Sequence, residues 1–574
     1  MVDPVSYFNF YRENMSVSGN ELRKSKLEKV QTKEDAFSWA KEIKNWFRNT
    51  IGELGQIENQ KREYCGEIIC NGYKIEKWLF EVFPGTMAPS NLYVPDHVNK
   101  EGLAMVAPLG HWIDGKVSVN YQNLGGYMAT HGIPVLVYDH AGLGERREFW
   151  DVERGESLIG KSGTNEHCRI GDLMIPTGVQ PANFFLTEVK YAIEFMKSLS
   201  YVNKNNVGIS GASGGGSMSR EAACYFDDLA FSVPVCILRG ESVGSAGCHE
   251  QVTWNEGLDG VASFDQLTSM LPKPVMVVTE FIGDDSIESM KTLRRLYDLA
   301  GASDEVTDHF QMDDAHGYTH PMIEAVYRFL KKNFDLIDPK IGAWQKIKNQ
   351  KAVDLNISKN GFLNREYFQI SMAQQILDRC PKHEKISKEK LKELLRLQFL
   401  PAVESSCSVN PSALMSVGSI LNDQENQISL IDFKPCVPGW YHGYGSVYKS
   451  EEADMGRWFL SFGSSFMGYR VKELLNYVES NAGKIEELFA EGKWALILLV
   501  AKIVSDDEKF PKIKLKNLLI GYRDIALADL NILYSSLYIP ELLRHGDIDD
   551  LIDLCGTDVE IENRTDAFGR VIKA

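Results

Sequence analysis

The stretch that most constrains the fold is a Gly-x-Ser-x-Gly turn between an apolar run and a helix-forming segment. Residues 206–216 read Asn-Val-Gly-Ile-Ser-Gly-Ala-Ser-Gly-Gly-Gly, and Ser-Met-Ser-Arg-Glu-Ala-Ala follows. This pattern predicts a strand, a sharp turn and a helix. Because a serine at the tip of so tight a turn has a strained backbone, the residues two positions away on either side must lack side chains. Gly211 and Gly215 meet this requirement for Ser213, which we predict to be a nucleophile.

The same glycine-rich turn is open to a second interpretation, in which the N–H groups of a helix N-terminus cradle a phosphate. However, no Lys-Ser or Lys-Thr pair follows the glycines, and their spacing is not that of Gly-x-Gly-x-x-Gly at the first strand of a domain. The sequence therefore favours the nucleophile turn, because its structural context is present and that of a phosphate loop is not.

Length, charge and cysteine usage narrow the class of protein. A chain of 574 residues exceeds what one hydrophobic core usually serves, so we expect two domains. The net charge of −17 argues against nucleic acid or an anionic membrane as a partner. The ten cysteines form no Cys-x-x-Cys pair and no Cys/His cluster at zinc-ligand spacing, which predicts neither a disulfide framework nor a metal site. Residues 1–20 lack the apolar core of a secretory signal, so we expect a cytoplasmic protein.

Apolar runs alternate with helical segments over the first half of the chain. The runs at 103–108, 134–139, 233–238 and 274–279 are typical of buried strands, and a helix is expected at 32–54. This alternation predicts an α/β fold with a doubly wound, mostly parallel sheet, whose functional groups lie at the carboxyl ends of the strands.

A serine nucleophile needs a base to take its proton and an acid to orient that base. In this type of sheet both follow the serine, the acid first and the histidine second. The acidic loop 280–286 follows the run 274–279, and we assign Asp284 as the acid, with Asp285 as the alternative. The next strand-like run ends in Asp-Asp-Ala-His-Gly-Tyr, which places His316 at a strand end as the base.

The tetrahedral intermediate of acyl transfer also requires hydrogen-bond donors for its oxyanion. Gly214 follows the nucleophile and supplies one backbone N–H by position. His111, in the Leu-Gly-His-Trp loop at 109–112, is the candidate for the second backbone N–H. A packing role for this loop is equally compatible with the sequence.

Four motifs give the chain a resemblance to a known family. They are Gly-Ala-Ser-Gly-Gly at 211–215, Gly-Leu-Gly-Glu-Arg-Arg at 142–147, Asp-Asp-Ser-Ile-Glu at 284–288 and His-Gly-Tyr at 316–318. On these motifs, about residues 30–335 resemble the α/β-hydrolase superfamily, within it the acetyl xylan esterase and dienelactone hydrolase-like branch. That family usually has His-Gly where this chain has Leu109-Gly110. The resemblance implies a small acyl ester, such as an acetylated sugar, as substrate.

The second half of the chain contains two segments whose sequence patterns are similar to segments of the first half. Residues 518–526 read Leu-Leu-Ile-Gly-Tyr-Arg-Asp-Ile-Ala, a strand, turn and helix pattern with Arg523 where the nucleophile would stand. Residues 559–566 parallel the strand and acidic loop that reach Asp284. We therefore expect an N-terminal helical arm at 1–60, a catalytic domain at 61–340 and a degenerate copy without a triad at 341–574, resembling tandem proteins of the xylan esterase type. An unrelated α/β or helical domain is the alternative.

These inferences predict a serine hydrolase that cleaves a carboxylic ester through an acyl-enzyme, without cofactor or metal. Its partner is a small-molecule ester rather than nucleic acid or a membrane, and the oligomeric state is open, a homo-oligomer included. Two alternatives remain. The same triad can serve a thioester, an amide, a carbon–carbon bond or an elimination, because a fold does not fix its reaction. A non-enzymatic ligand-binding protein can also use this fold.

Overall fold

The computed structural model describes residues 4–151, 153–159, 163–237, 254–280, 284–311, 316–340, 342–363, 371–397, 416–421, 424–429, 451–506, 510–528 and 535–572. The chain divides into two compact units. The first unit comprises Ser18–His167 and Gln180–Ser371. The second unit comprises Met1–Val17, Cys168–Val179 and Met372–Ala574. Neither unit is therefore one continuous piece of chain.

A nine-stranded sheet forms the centre of the first unit. Its strands in chain order are β1 Arg62–Ile69, β2 Tyr73–Phe83, β3 Thr86–Pro95, β4 Ala104–Ala107, β5 Val135–Tyr138, β6 Val207–Ala212, β7 Ser232–Val235, β8 Val275–Thr279 and β9 Val306–Phe310. The spatial order is β1-β2-β3-β5-β4-β6-β7-β8-β9. Pairing is antiparallel from β1 to β5 through β2 and β3, and parallel from β5 to β9. The α/β fold with a mostly parallel sheet is therefore confirmed.

Helices cover both faces of this sheet, as the burial of its central strands requires. The long helices of the first half are α1 Pro4–Leu27, α2 Lys33–Ile51, α3 Val119–Thr130, α4 Gly163–Thr177, α5 Pro181–Lys197, α6 Gly214–Tyr225, α7 Asp284–Ala300 and α8 His320–Asn333. Every residue of β4, β5, β6, β7 and β8 is buried. Such strands read as continuous apolar runs rather than as alternating patterns, which is why the sequence marks them so clearly.

Helix α2 shows how local sequence determines where a helix begins and ends. Thr32 caps the helix by accepting a hydrogen bond from the Asp35 N–H, and the Asp35 carboxylate accepts from the Thr32 N–H in return. Gly52, with φ of 77°, ends the helix. The buried face, which includes Trp39 and Phe47, packs against α6 and α7. This helix is consequently part of the first unit's core.

A six-stranded sheet forms the second unit. The strands are β10 Ser416–Leu421, β11 Gln424–Ser429, β12 Ile485–Glu491, β13 Lys512–Leu519, β14 Val559–Thr565 and β15 Val571–Ile572, in the spatial order β11-β10-β12-β13-β14-β15. The strands β12, β13 and β14 are parallel, and the outer pairs are antiparallel. Its described helices of six or more residues after residue 371 are α9 Met372–Asp378, α10 Lys388–Leu394, α11 Glu451–Ser461, α12 Phe466–Ser480, α13 Lys493–Val504, α14 Tyr522–Leu527 and α15 Ile548–Cys555.

The segment Cys168–Val179 is held by polar contacts inside the second unit. Arg169 donates from Nη2 to the Ile525 carbonyl at 3.1 Å. Arg544 donates from Nε to the Thr177 carbonyl at 2.9 Å. Glu541 N–H donates to the Ile175 carbonyl at 2.9 Å. These bonds satisfy carbonyls and a guanidinium that would otherwise be buried without partners, so they fix the segment in this unit.

A turn like that at Ser213 occurs in the second unit, but at a different place from the one the sequence indicated. Gly492 lies between β12 and α13 with φ of 63° and ψ of −129°, close to the 58° and −122° of Ser213. By contrast Gly521, before α14, has an extended φ of 178°, and Arg523 lies inside that helix. The prediction that Arg523 occupies the nucleophile position is therefore wrong. The described turn of similar backbone shape contains Gly492, which has no side chain.

Among the described helices, none is both long enough and apolar enough to cross a bilayer.

Candidate active site

Ser213 lies at the tip of a strained turn between β6 and α6. Its φ of 58° and ψ of −122° are unusual for a residue with a side chain, and its N–H donates to the Val235 carbonyl at 2.9 Å. A Cβ on Gly211 would lie 2.4 Å from the Gly215 carbonyl oxygen, and one on Gly215 would lie 2.1 Å from the Pro108 carbonyl oxygen. Both glycines are therefore sterically required for the turn.

His316 pairs with a carboxylate that the sequence reasoning did not select. Its Nδ1 lies 2.6 Å from Oε1 of Glu280, the residue that follows β8 directly. Asp284, which we assigned as the acid, is the first residue of α7, and the side chains of Asp284 and Asp285 lie outside the described part of the structure. The structure thus brings His316 together with Glu280.

The order of the strands explains why these groups share one edge of the sheet. Ser213 follows β6, Cys236 follows β7 and Glu280 follows β8, while His316 lies in the segment after β9. Because β6 to β9 are parallel neighbours, all four residues lie at the carboxyl edge. Within the described residues no hydrogen bond joins Ser213 Oγ to His316. Catalytic hydrogen bonds are often long without substrate and shorten when it binds.

Two aromatic side chains, Trp112 and Tyr318, hold His316 and the chain that follows it in place. The ring of Trp112 stacks on His316 with centroids 5.9 Å apart and an interplanar angle of 23°. A Cβ on Gly317, whose φ is 129°, would lie 2.8 Å from Trp112. Tyr318 lies 2.6 Å from Ser210 Oγ, which itself donates to the Val233 carbonyl. Tyr318 must therefore donate to Ser210, and this bond fixes the chain after His316 to strand β6.

Loop 108–112 lies against the Ser213 turn and is tied to it by Tyr121. The Tyr121 hydroxyl donates to the Pro108 carbonyl at 2.9 Å and accepts from the N–H groups of Gly110 at 2.8 Å and Ala212 at 3.2 Å. A Cβ on Gly110 would lie 2.4 Å from the Ala212 carbonyl oxygen, so the approach of the two segments is close. One buried hydroxyl thus joins the loop that contains His111 to the strand that presents Ser213.

Two buried histidines, His140 and His167, lie against the same loop. His140 Nε2 lies 3.0 Å from the Leu109 carbonyl, so this nitrogen carries the ring proton. The His167 ring lies 5.0 Å from that of His140 and 4.9 Å from that of His111, centroid to centroid. Burial, with a smaller effect of the neighbouring His167 ring, lowers the pKa of His140 to about 3. With this pKa His140 is neutral near pH 7, and its ring packs against the loop and positions it.

Buried charges fix the Gly-Leu-Gly-Glu-Arg-Arg loop that follows β5. Asp139 accepts from the Lys116 N–H at 2.6 Å and pairs with Lys116 Nζ at 3.0 Å, and Lys116 also pairs with Glu145. Glu145 accepts from the Ser358 N–H and hydroxyl, both at 2.7 Å. Burial opposes the charged form of Glu145, but Lys116 and Ser358 outweigh burial and lower its pKa. A Cβ on Gly144 would lie 2.3 Å from the Asp139 carboxylate. This motif is therefore structural in the described contacts.

Of the two predicted oxyanion donors, Gly214 is the first residue of α6, where backbone N–H groups have no partner within the helix. His111 lies in loop 108–112, whose Gly110 N–H is bonded to Tyr121 and whose Trp112 N–H donates to the Gly110 carbonyl at 2.9 Å.

Two other histidines lie near His316 in the sequence. His309 lies in β9, and His320 is the first residue of α8, where its ring stacks on Trp344 with centroids 3.7 Å apart.

Comparison with known proteins adds to this picture at the level of fold. No protein-family model matches the chain, and no curated protein matches it in sequence. The solved structure of the methylesterase BT1017 is 19% identical with a TM-score of 0.50, and the match covers 66% of this chain and 80% of that one. A glucuronoyl esterase from Solibacter usitatus is 11% identical with a TM-score of 0.37, covering 53% of this chain and 94% of that one. Acetyl xylan esterase 1 from Thermoanaerobacterium sp. JW/SL YS485 is 13% identical with a TM-score of 0.35, covering 54% and 98%.

The likeness to BT1017, together with the strand order and the turn at Ser213, shows that the chain has the α/β-hydrolase fold. The fold class expected from the sequence is thereby confirmed.

Two site residues were missed by the sequence reasoning, for different reasons. Glu280 was within the acidic loop considered, and the end of the apolar run at Thr279 was a usable signal, because strand ends carry the catalytic groups in this fold. Tyr121 gave no signal, since one tyrosine in a helical segment is ordinary. Only the folded structure brings its hydroxyl to the Ala212 N–H, 91 residues away along the chain.

Proposed function

We propose that the protein is a serine hydrolase that cleaves a carboxylic ester, with Ser213 as nucleophile, His316 as general base and Glu280 as the carboxylate that orients His316. The observation that carries the proposal is the Glu280–His316 pair of 2.6 Å at the same sheet edge as the strained Ser213. The fold likeness to a protein named a methylesterase agrees with this chemistry.

The pairing of Glu280 determines which nitrogen of His316 can act as a base. Because Glu280 Oε1 lies 2.6 Å from Nδ1, the single ring proton of neutral His316 resides on Nδ1 and is donated to the carboxylate. Nε2 is then unprotonated and can accept a proton from Ser213 Oγ. Glu280 thus selects the tautomer that the reaction needs.

The proposed reaction has two halves. Ser213 Oγ attacks the ester carbonyl carbon while its proton passes to His316 Nε2, and the oxyanion accepts hydrogen bonds from the N–H groups of Gly214 and His111. Collapse of the intermediate expels the alcohol, which takes the proton from His316, and leaves the acyl group on Ser213. A water molecule, deprotonated by His316, then attacks the acyl-enzyme and releases the acid and Ser213. No cofactor takes part in these steps.

For the substrate we propose a short acyl ester of a small molecule, with an acetylated sugar as the leading candidate. The family resemblance of the sequence supports this choice. Hydrolysis of short acyl esters, with none of matched thioesters or amides, would separate this proposal from other uses of the same triad.

The decisive experiment is intact-mass labelling with a serine-directed fluorophosphonate. We expect one adduct per chain in the wild type and none in Ser213→Ala or His316→Ala, because the probe reacts only with an activated serine. Ser217→Ala, which removes another serine of α6, is the matched control and should label like the wild type. An adduct that persists in Ser213→Ala would overturn the proposal, as would the absence of any adduct in the wild type.

A further inference from the structure

Cys236 brings a third kind of donor to the pair of Glu280 and His316. It follows β7 directly and has a φ of 57°, and its Sγ lies 3.8 Å from the carbonyl of Gly317, the residue after His316. One ligand atom from each of Cys236, Glu280 and His316 lies within 4.8 Å of the other two. Among the described residues this is the one cluster of three such donors.

The donor set matches the chemistry of Zn²⁺. Zinc takes thiolate sulfur, imidazole nitrogen and carboxylate oxygen in tetrahedral geometry, and an open fourth position is common when three protein ligands bind. Hard cations such as Mg²⁺ and Ca²⁺ prefer oxygen donors alone and disfavour this set. Zn–ligand distances of about 2.0 to 2.3 Å place tetrahedral ligand atoms about 3.3 to 3.6 Å apart.

Only small movements are required to reach that geometry. The widest separation in the cluster, at most 4.8 Å, must shorten by roughly 1 Å. The Glu280–His316 gap must open from 2.6 Å by a similar amount, which means that the hydrogen bond between them is replaced by two metal bonds. Access is available, because the His316 side chain is 39% exposed, whereas that of Glu280 is 5% exposed.

We propose that Zn²⁺ binds Cys236, Glu280 and His316 and thereby inhibits the hydrolase reaction. The inhibitory part rests on the proposed function, whereas the metal site itself does not. Binding releases the Cys236 thiol proton to solvent, and zinc forms bonds to the thiolate, the carboxylate and one imidazole nitrogen. The fourth position is filled by water.

Zinc prevents proton transfer from Ser213 whichever nitrogen of His316 it binds. A metal on Nε2 occupies the atom that must accept the serine proton. If the metal binds Nδ1 instead, the single ring proton resides on Nε2, which then cannot accept another. Zinc therefore blocks the base in both arrangements and also removes Glu280 from its orienting role.

The site is tested by metal binding to the full chain, independently of activity. Metal-free protein is titrated with ZnCl₂ by calorimetry, and with CoCl₂ to detect the thiolate-to-cobalt charge-transfer absorption. We expect one Zn²⁺ per chain, binding at least about 10-fold weaker in Cys236→Ala and in Glu280→Gln. The cobalt absorption should be lost in Cys236→Ala. Cys65→Ser, which removes a half-exposed cysteine elsewhere in the first unit, is the control and should bind like the wild type.

Fluorophosphonate labelling of the same samples tests inhibition. Labelling of the wild type should be lost at saturating ZnCl₂ and unchanged by MgCl₂ at the same concentration. Zinc binding that is equal in wild type and Cys236→Ala would overturn the site, as would the absence of zinc binding while Ser213 still labels. Zinc binding at Cys236 without any labelling of the metal-free protein would instead overturn the serine hydrolase proposal and leave the metal site standing.

Discussion

Glu280 shows how one residue at a strand end decides the chemistry of a site. Strand β8 ends at Thr279, so the next side chain lies at the carboxyl edge within reach of His316, whereas Asp284 already begins α7. A carboxylate directly after the strand, at the position of Glu280, fixes the imidazole tautomer and stabilises the imidazolium that forms during the reaction. The acid of the proposed triad is therefore a glutamate, one carbon longer than the aspartate expected.

Replacement of the Glu280 carboxylate by an amide tests its role in orienting His316 without a change in the shape of the side chain. In Glu280→Gln the amide can donate to Nδ1, which moves the ring proton of His316 to Nε2 and disables the base. We expect kcat for a short acyl ester to fall by roughly 10³- to 10⁴-fold, with KM little changed. Asp284→Asn is the matched control and should retain near-wild-type kcat. A loss of comparable size in Asp284→Asn alone would assign the acid to Asp284 instead.

At the level of elements, loop 108–112 is the part of the site that depends most on its surroundings. It has no helix or strand of its own, and its backbone is held by Tyr121 from α3 and by His140 after β5. Oxyanion donors must be fixed before the reaction if they are to stabilise its transition state. The buried hydroxyl and imidazole are therefore positioning groups for the proposed His111 donor.

Removal of the Tyr121 hydroxyl should affect both stability and rate. In Tyr121→Phe the Pro108 carbonyl and two N–H groups lose their buried partner, at a cost of about 1 to 3 kcal/mol in the free energy of unfolding. Because the loop is then less well fixed, kcat should fall by at least about 10-fold.

Urea unfolding and ester hydrolysis measure the two effects. Tyr327→Phe is the control, since it removes a tyrosine hydroxyl that donates to the Ile337 carbonyl at 2.8 Å in a different segment. That variant should lose stability but keep the wild-type kcat. Equal effects of both variants on kcat would contradict a positioning role for Tyr121.

On the scale of the whole molecule, buried ionisable groups couple folding to pH in opposite directions. His140, with a folded pKa of about 3, is neutral when folded but takes a proton when unfolded below its ordinary pKa of about 6.5. Its contribution to stability is therefore lost as the pH falls from about 6.5 towards 3.

Burial, with a smaller effect of Glu148, raises the pKa of Glu166 to about 8. The contribution of Glu166 is full below about pH 4.5 and is lost as the pH rises through 8.

The Glu166 contribution can be isolated with Glu166→Gln. A glutamine keeps an acceptor for the Glu148 and Phe149 N–H groups but does not ionise. We expect the free energy of unfolding of the variant, relative to wild type, to rise between about pH 4.5 and 8, by at most about 1.4 kcal/mol per pH unit. Urea unfolding at a series of pH values measures this slope. A difference that stays constant with pH would contradict an uncharged Glu166.

The sequence predicted the parts of this structure that local patterns determine. The turn at Ser213 needs Gly211 and Gly215, and the buried parallel strands are apolar throughout, so both are visible in the printed residues. The choice between Glu280 and Asp284 depends on where β8 ends within an acidic loop. Gly492 was missed because a glycine tolerates positive φ without any flanking pattern, so a turn of the same shape leaves no motif.

The membership of Cys168–Val179 in the second unit has a consequence for how the chain is made. Translation delivers this segment long before residues 372–572, with which it forms one compact unit. Its apolar side chains, among them Ile170, Leu173 and Ile175, are buried in the folded chain, and until those later residues are made the segment lacks the contacts of its own unit. A nascent chain in that condition is prone to aggregate. A gene cut after residue 371 would leave the segment in this state permanently, so the first unit cannot be expressed cleanly by truncation alone.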